Sequence, residues 1–231
     1  MASLFNIIKE DFSIIKKKDP AIGSKIELFF NYPGLIAIVH YRIAHKLYSK
    51  NFKILSRILM GFTQFITNID IHPACIIGRR VFIDHGIGVV IGETAILKDD
   101  ITIYQGVTLG GVSLDKVKRH PTILSGVVIG AGAKILGNIT IGENAKIGAN
   151  SVVIKDVPDN STAIGIPAKV IQKGRIKESS AINKIPDIEA QMFNYIIKKL
   201  EIIESKLKED CKKELKELDV LYDSFIKTIK E

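Results

Sequence analysis

The chain has 231 residues, 46% hydrophobic and 25% charged, with a formal net charge of +8. That length holds one good core, or a core with helical appendages, and no uncharged apolar run reaches the roughly eighteen residues of a membrane span. The positive excess gathers in residues 1–69, with ten Lys/Arg against four Asp/Glu and no aromatic interleaving or nucleic-acid motif, so it reads as a solvated helical surface that attracts small anions.

Residues 1–69 read as helical. Ile36, Val39, Ile43, Leu47 and then Ile54, Ile58, Phe62, Phe65 recur at steps of three and four, and Asn31-Tyr32-Pro33-Gly34 breaks the first part from the second. The first ten residues lack a basic head and a small-residue cleavage site, so no signal peptide is read. Two distant cysteines, Cys75 and Cys211, offer neither a disulfide framework nor metal spacing. A reducing cytoplasm is the expectation. His40 and His45 stand five apart on a helix and point to different faces, which assigns them structural or surface roles.

Residues 70–171 repeat every six. Ile123, Ile129, Ile135, Ile141, Ile147 and Val153 are one aliphatic series, with Val127, Ala133, Ile139, Ala145, Ser151 and Val157 four places after each. The rule also holds at Ile71, Ile77 and Ile83 and, two residues out of phase, at Ile91, Leu97, Ile103 and Leu109. A period of six fits neither a helix nor a flat strand. It fits a triangular solenoid whose coils of about eighteen residues stack; the period does not give the hand.

Two irregularities interrupt the repeat. Asp84-His85-Gly86-Ile87-Gly88 shifts the phase, and Gly110 to Pro121 is too long for a turn. Each carries a histidine that stacking brings toward a carboxylate: His85 toward Asp70 on a neighbouring coil, and His120 toward Glu93 in the coil beneath. A carboxylate at one imidazole nitrogen fixes the tautomer and raises the basicity of the other, as a general base requires. Neither histidine has the close partners of a zinc ligand set, so no metal is expected. His72, in Asp70-Ile71-His72-Pro73, reads as a cap at the solenoid entrance.

Residues 172–231 lose the hexad and return to helical spacing. Ile196, Leu200, Ile203, Leu207, Cys211, Leu215, Leu218, Tyr222, Phe225 and Ile229 average 3.67 residues per step, which predicts an amphipathic helical tail packing as a straight or weakly right-handed coiled coil across copies. Thirteen Lys/Arg against twelve Asp/Glu from 172 onward give it little attraction to a membrane.

Together, Asp70-Ile71-His72-Pro73, Asp84-His85-Gly86-Ile87-Gly88 through Glu93-Thr94-Ala95, Val107-Thr108-Leu109-Gly110-Gly111, Arg119-His120-Pro121, Ile129-Gly130-Ala131 through Gly137-Asn138, and Gly165-Ile166-Pro167-Ala168 resemble serine O-acetyltransferase, a hexapeptide-repeat acyltransferase. A shorter helical match adds Asp19-Pro20-Ala21 and Tyr41-Arg42-Ile43-Ala44-His45. The resemblance implies an α+β fold: a left-handed parallel β-helix at 70–171, a helical N-terminal region at 1–69 and a helical extension at 172–231. It implies His85 as general base oriented by Asp70, and His120 with Glu93 as a second pair at the substrate. Asp19 and Asp84 would bind the L-serine ammonium and Arg119 its carboxylate. Acetyl-CoA would lie along the coils, with Gly110, Gly111, Ala131 and Ala149 admitting the pantetheine and Lys146 and Lys169 meeting its phosphates. Lys118 stands where the family has Asp, and the preceding loop is less glycine-rich than the family's.

The implied assembly is a homotrimer with active sites between subunits, and a dimer of trimers in longer members. Many members insert a terminal isoleucine into O-acetylserine sulfhydrylase, whereas this sequence ends Ile229-Lys230-Glu231. Two other readings compete. A hexapeptide acetyltransferase for a sugar or xenobiotic hydroxyl shares the base histidine but has no need of Asp19, Asp84 and Arg119 together. A non-catalytic trimeric solenoid gives no reason for two His–carboxylate pairs.

Overall fold

The computed structural model describes residues 3–19, 22–24, 26–171 and 195–201, which fall in two compact units. The first unit opens with four helices: α1 (Leu4–Lys18), α2 (Glu27–Phe30), α3 (Pro33–Ser49) and α4 (Lys53–Thr67). Ser3 caps α1 through the Asn6 amide, and Lys16, Lys17 and Lys18 fill its last turn, where cations suit the helix dipole. Pro33 occupies the first turn of α3, where its missing N–H costs nothing. Gly34 follows because a Cβ there would lie 2.1 Å from the Ile83 carbonyl oxygen. The start of α3 therefore sits flush on the solenoid backbone.

Arg42 locks these helices to the coil. It forks to Asp11 of α1 at 3.1 and 3.2 Å and also donates to the carbonyls of Ile77 and Gly78. With Arg42 7% and Asp11 1% exposed, removing the carboxylate would strand a buried charge, a loss of about 3–5 kcal/mol.

From Asp70 the chain winds as a left-handed parallel β-helix. Its first face stacks the strands Asp70–Ile71, Val90–Ile91, Thr108–Gly110, Lys134–Leu136 and Val152–Val153. The second face stacks Ile76–Ile77, Ile96–Leu97, Thr122–Ile123 and Thr140–Ile141. The third stacks Phe82–Ile83, Thr102–Ile103, Val128–Ile129, Lys146–Ile147 and Thr162–Gly165, closed by antiparallel Ala168–Ile171. The expected aliphatic ladder is the core: Ile71, Ile91, Leu109, Ile135 and Val153 are buried in register on the first face alone. Ala37, Ile38, Tyr41, Ala44 and Met60 of the helices join the same apolar cluster.

Register gives the length of each turn. Asp70 pairs with Val90, Val90 with Thr108, Thr108 with Lys134 and Lys134 with Val152. The first turn thus carries two residues more than a regular one, and the third carries eight more. Those insertions are the two irregularities of the repeat. They fall at different corners of the triangle, the first between the third and first faces and the second between the first and second.

Two of the three corners turn through left-handed backbone. Asn68, Gly88, Gly106, Gly132 and Asn150 stack at one, all with positive φ. That left-handed backbone favours glycine or asparagine, the two residue types that fill the column. Arg80, Asp100, Gly126, Asn144 and Asn160 repeat the device at a second corner. The third corner, which bears His72, Glu93, Thr94 and the Gly111–Pro121 loop, has positive φ only at Gly137.

The helical spacing read from sequence is borne out, but the apolar stripes do not mark the faces that meet the coil. In α4 the buried residues are Ser56, Met60, Thr63 and Thr67, while Ile54, Ile58, Phe62 and Phe65 are exposed. In α3, Leu35, Ile38, Tyr41 and Arg42 turn inward and Ile43 outward. The second unit is described only at 195–201, which is helical and places the Lys199 ammonium 5.9 Å from the Tyr195 ring centre. The apolar series beyond residue 201, and the packing expected of it, lie outside the described residues.

Candidate active site

The histidine-bearing insertions build two separate clusters. The first is the corner between the third and first faces. His85 there has φ +56 and an exposed side chain, followed by Gly86 with φ +77. Gly88 donates to Asn68 O at 2.8 Å and Asp70 to Val89 O at 2.9 Å, which folds this loop against the entrance to the first strand. Asp70 and His85 therefore begin and end one turn; the neighbouring coils expected from sequence are corrected to a single coil with two extra residues. Their side chains make no hydrogen bond to each other among the described residues.

Asp19, just past α1, accepts a 2.6 Å hydrogen bond from the Tyr32 hydroxyl. Burial first, then Asp19, Glu27 and Asp84, push the Tyr32 phenol up to about 12. Asp19 and Asp84 thus both act on one phenol, although 65 positions separate them in the chain. A corner with this much negative charge suits a cation such as an ammonium.

The second cluster occupies the corner between the first and second faces. Glu93 pairs with Arg119 at 2.8 Å, and this bond holds its carboxyl below the usual range. The direct His120–Glu93 bond expected from sequence is replaced. His120 Nδ1 faces Thr94, with the amide at 3.2 Å and the hydroxyl at 2.9 Å. The reason is register: Ile96 pairs with Thr122, so Thr94 lies directly under His120 and Glu93 under Arg119. Burial, then Arg119 and Lys118, lower the His120 pKa, with Glu93 opposing. Lys118 spends its ammonium on the His120 carbonyl, and burial lowers its pKa.

Arg119 donates to Glu93 and to the Ser113 carbonyl at 3.4 Å, while its buried Nε has no partner among the described residues. A guanidinium with a donor left over is prepared for an anion. His72 belongs to this cluster too. Its Nδ1 accepts from Ala74 at 3.1 Å, and burial first, then Arg57, lower its pKa. Tyr32, His72, Gly92 and Thr94 are the neighbours that sequence reasoning did not single out as part of a site. For Thr94 the signal was present: it precedes His120 by one regular coil plus the eight-residue insertion.

The residues expected along the cofactor are more spread out. Ala131 and Ala149 stack at the His85 corner, where Asn150 donates to Ala131 O at 2.8 Å. Gly110 ends a first-face strand and Gly111 starts the loop at the His120 corner. Lys146 lies exposed on the third face, and Lys169 on the closing hairpin. Small residues thus flank the first face on both sides, with the two lysines away from it.

His40 bonds Thr63 at 2.9 Å and His45 bonds the Pro73 carbonyl at 2.8 Å, as structural histidines do. Among the described residues no three His, Cys, Asp or Glu side chains are grouped to hold a metal ion, and no helix is long and apolar enough to cross a membrane.

Comparison with known proteins agrees with this architecture. The family described as bacterial transferase hexapeptide (six repeats) matches residues 120–155. A serine acetyltransferase of Bacillus pumilus strain SAFR-032 is 47% identical over 212 residues, spanning 91% of this chain and 98% of that protein. Soybean serine acetyltransferase complexed with serine superimposes with a TM-score of 0.71 at 43% identity, covering 73% of this chain and 70% of that one. A serine acetyltransferase in complex with CoA gives 0.69 at 43% identity, over 73% and 70% of the two chains. With near-half identity along almost the whole length, and the same coil beneath it, this chain belongs to the serine acetyltransferase family.

Proposed function

We propose that the protein transfers the acetyl group of acetyl-CoA to the hydroxyl of L-serine, giving O-acetylserine for cysteine biosynthesis. One observation carries the reading: an acidic corner with an exposed histidine is matched by a second corner with an incompletely satisfied guanidinium. Those are the two ends that a zwitterionic amino acid requires, with a base available for its hydroxyl.

The two corners are a full side of the triangle apart, six residues or roughly 20 Å if extended. One serine cannot touch both within a single chain. We therefore propose a homotrimer in which the His85 corner of one copy faces the His120 corner of the next. Asp19 and Asp84 hold the ammonium, Arg119 the carboxylate, and Asp70 orients His85. The small residues beside the first face let the acetyl-CoA chain lie close to the backbone there. A reducing cytoplasm, which also suits the free, buried Cys75 thiol, is the proposed location.

In the reaction, His85 removes the serine hydroxyl proton as the oxygen adds to the thioester carbonyl. The tetrahedral adduct then collapses by breaking its carbon–sulfur bond, and the departing thiolate takes the proton back from the imidazolium. No covalent enzyme intermediate is needed. The base contributes on the order of 10²–10⁴-fold, and juxtaposition of the two substrates supplies the rest.

Mixing inactive variants tests both parts. His85→Ala and Arg119→Ala subunits, co-refolded at equal amounts, are expected to regain about a quarter of wild-type serine acetylation, since each interface needs one intact corner from each side. No recovery in mixed trimers would overturn the shared site. A wild-type protein that cleaves acetyl-CoA with a sugar hydroxyl but not with serine would overturn the substrate.

A further inference from the structure

The immediate neighbours of the His120 ring decide where its proton sits. The Thr94 backbone N–H donates to His120 Nδ1 at 3.2 Å. An amide N–H can only donate, so Nδ1 presents its lone pair there. The Thr94 hydroxyl lies 2.9 Å from the same nitrogen and already accepts the amides of Arg119 at 3.0 Å and His120 at 3.1 Å. With both lone pairs taken, that hydroxyl has only its proton to offer. A hydrogen on Nδ1 would meet two donors, so the single proton of the neutral ring resides on Nε2.

We propose that Thr94 is a positioning residue that locks His120 as the Nε2–H tautomer, so that His120 donates a hydrogen bond to substrate and His85 alone accepts the serine proton. The proposal rests on the serine acetyltransferase reading for its substrate, but its geometry belongs to this chain alone. Nε2 makes no hydrogen bond among the described residues. A Cβ on Gly92 would fall 2.1 Å from it and one on Gly111 3.3 Å away, so two glycines make room for the Nε2 side of the ring. The group that fits beside that N–H, next to the Arg119 guanidinium, is an anionic oxygen of the bound substrate. The charged and titratable groups around the ring are Arg119, Lys118, Glu93 and His72. Burial and the two cations outweigh Glu93 and hold the ring's pKa below its ordinary value. A histidine so held has no free lone pair with which to act as base.

The test is a long-range ¹H–¹⁵N correlation spectrum of protein labelled at histidine nitrogens, recorded without serine or acetyl-CoA. His120→Gln identifies the signal. Wild-type His120 is expected to show an unprotonated Nδ1 and a protonated Nε2 at about pH 8, where the neutral ring is observed. Thr94→Val keeps the amide but removes the hydroxyl; it should broaden the signal or mix the tautomers and lower kcat about tenfold. Thr94→Ser should restore both spectrum and rate. A wild-type Nδ1–H tautomer, an imidazolium at neutral pH, or a Thr94→Val spectrum identical to wild type would overturn the proposal. If Thr94→Val does not fold, the wild-type spectrum still decides. Wild-type protein that fails to acetylate serine yet shows the Nε2–H pattern would end the functional reading and leave the tautomer standing.

Discussion

Arg119 reaches down one coil to Glu93 at 2.8 Å, and that contact stretches the guanidinium across the mouth of the second corner. One terminal nitrogen is held by the carboxylate and the other by the Ser113 carbonyl, which fixes the plane of the fork while the buried Nε keeps its hydrogen unspent. Arg119→Lys replaces a planar fork with a single ammonium. The serine KM is expected to rise at least about tenfold, the cost of one or two charge-assisted bonds, with the acetyl-CoA KM nearly unchanged. Steady-state kinetics with each substrate varied gives the answer. A rise confined to acetyl-CoA would move Arg119 to the cofactor.

His85 stands in left-handed backbone, so the choice of replacement matters. Alanine at φ +56 carries a backbone penalty of roughly 1–2 kcal/mol, whereas asparagine adopts that region readily. Both His85→Ala and His85→Asn are expected to lower kcat at least about a hundredfold by removing the base, and only the alanine variant should also melt earlier. Asp70→Asn should be milder, since the base remains. Turnover within a few-fold of wild type in His85→Asn would remove His85 from the chemistry.

The contrast between coil and helices shows what a sequence displays and what it withholds. Every rung from Ile71 to Val153 is readable because the six-residue period sets the inward position without reference to any other element. The helices α3 and α4 have clear apolar stripes too, but a stripe says only that a face is apolar. Which face meets the coil is decided by close approach, at Gly34 against Ile83 and at Arg42 against the Ile77 carbonyl. The inward face of α4 accordingly carries Ser56 and Thr63, whose hydroxyls bond back to the helix at Lys53 and Leu59. In the candidate site the histidines, carboxylates and Arg119 were legible as residue types in breaks of the repeat. Their pairing was not, because it depends on a one-residue choice: counting back from His120 by one coil plus the insertion lands on Thr94, next to Glu93.

Gly92 is occupied, in effect, by the His120 ring. A Cβ there would come within 2.1 Å of both Cδ2 and Nε2, and the ring cannot swing away without leaving Thr94. Gly92→Ala is expected to keep its coil, since the residue has no positive φ, yet to lose at least about tenfold in kcat/KM for serine as the ring is displaced. Circular dichroism and thermal melting would separate this from unfolding. Full activity would show that the ring yields at no cost, and that its position against Gly92 is unimportant.

Stability should fall on mild acidification for a reason internal to the histidines. Burial is the first cause that lowers His40, His72 and His120 below the ordinary value. As pH drops through about 6.5, these side chains take up protons in the unfolded chain while the folded chain still excludes them. Protons bound preferentially by the unfolded state favour unfolding, so stability is complete above about pH 7 and declines toward the lower folded values, by at most about 1.4 kcal/mol per pH unit for each histidine. Glu93 acts in a separate, more acidic window. Arg119 lowers its folded pKa, so its contribution is present above the unfolded carboxylate value of about 4.5 and is lost as pH falls through the folded one. Urea midpoints measured from pH about 8 to about 5 should trace the histidine slope, and His120→Gln, which carries no titrating proton, should flatten it. A midpoint as steep in His120→Gln as in wild type would mean that His120 charges as easily in the folded chain as in the unfolded one, against the burial and the two cations beside it.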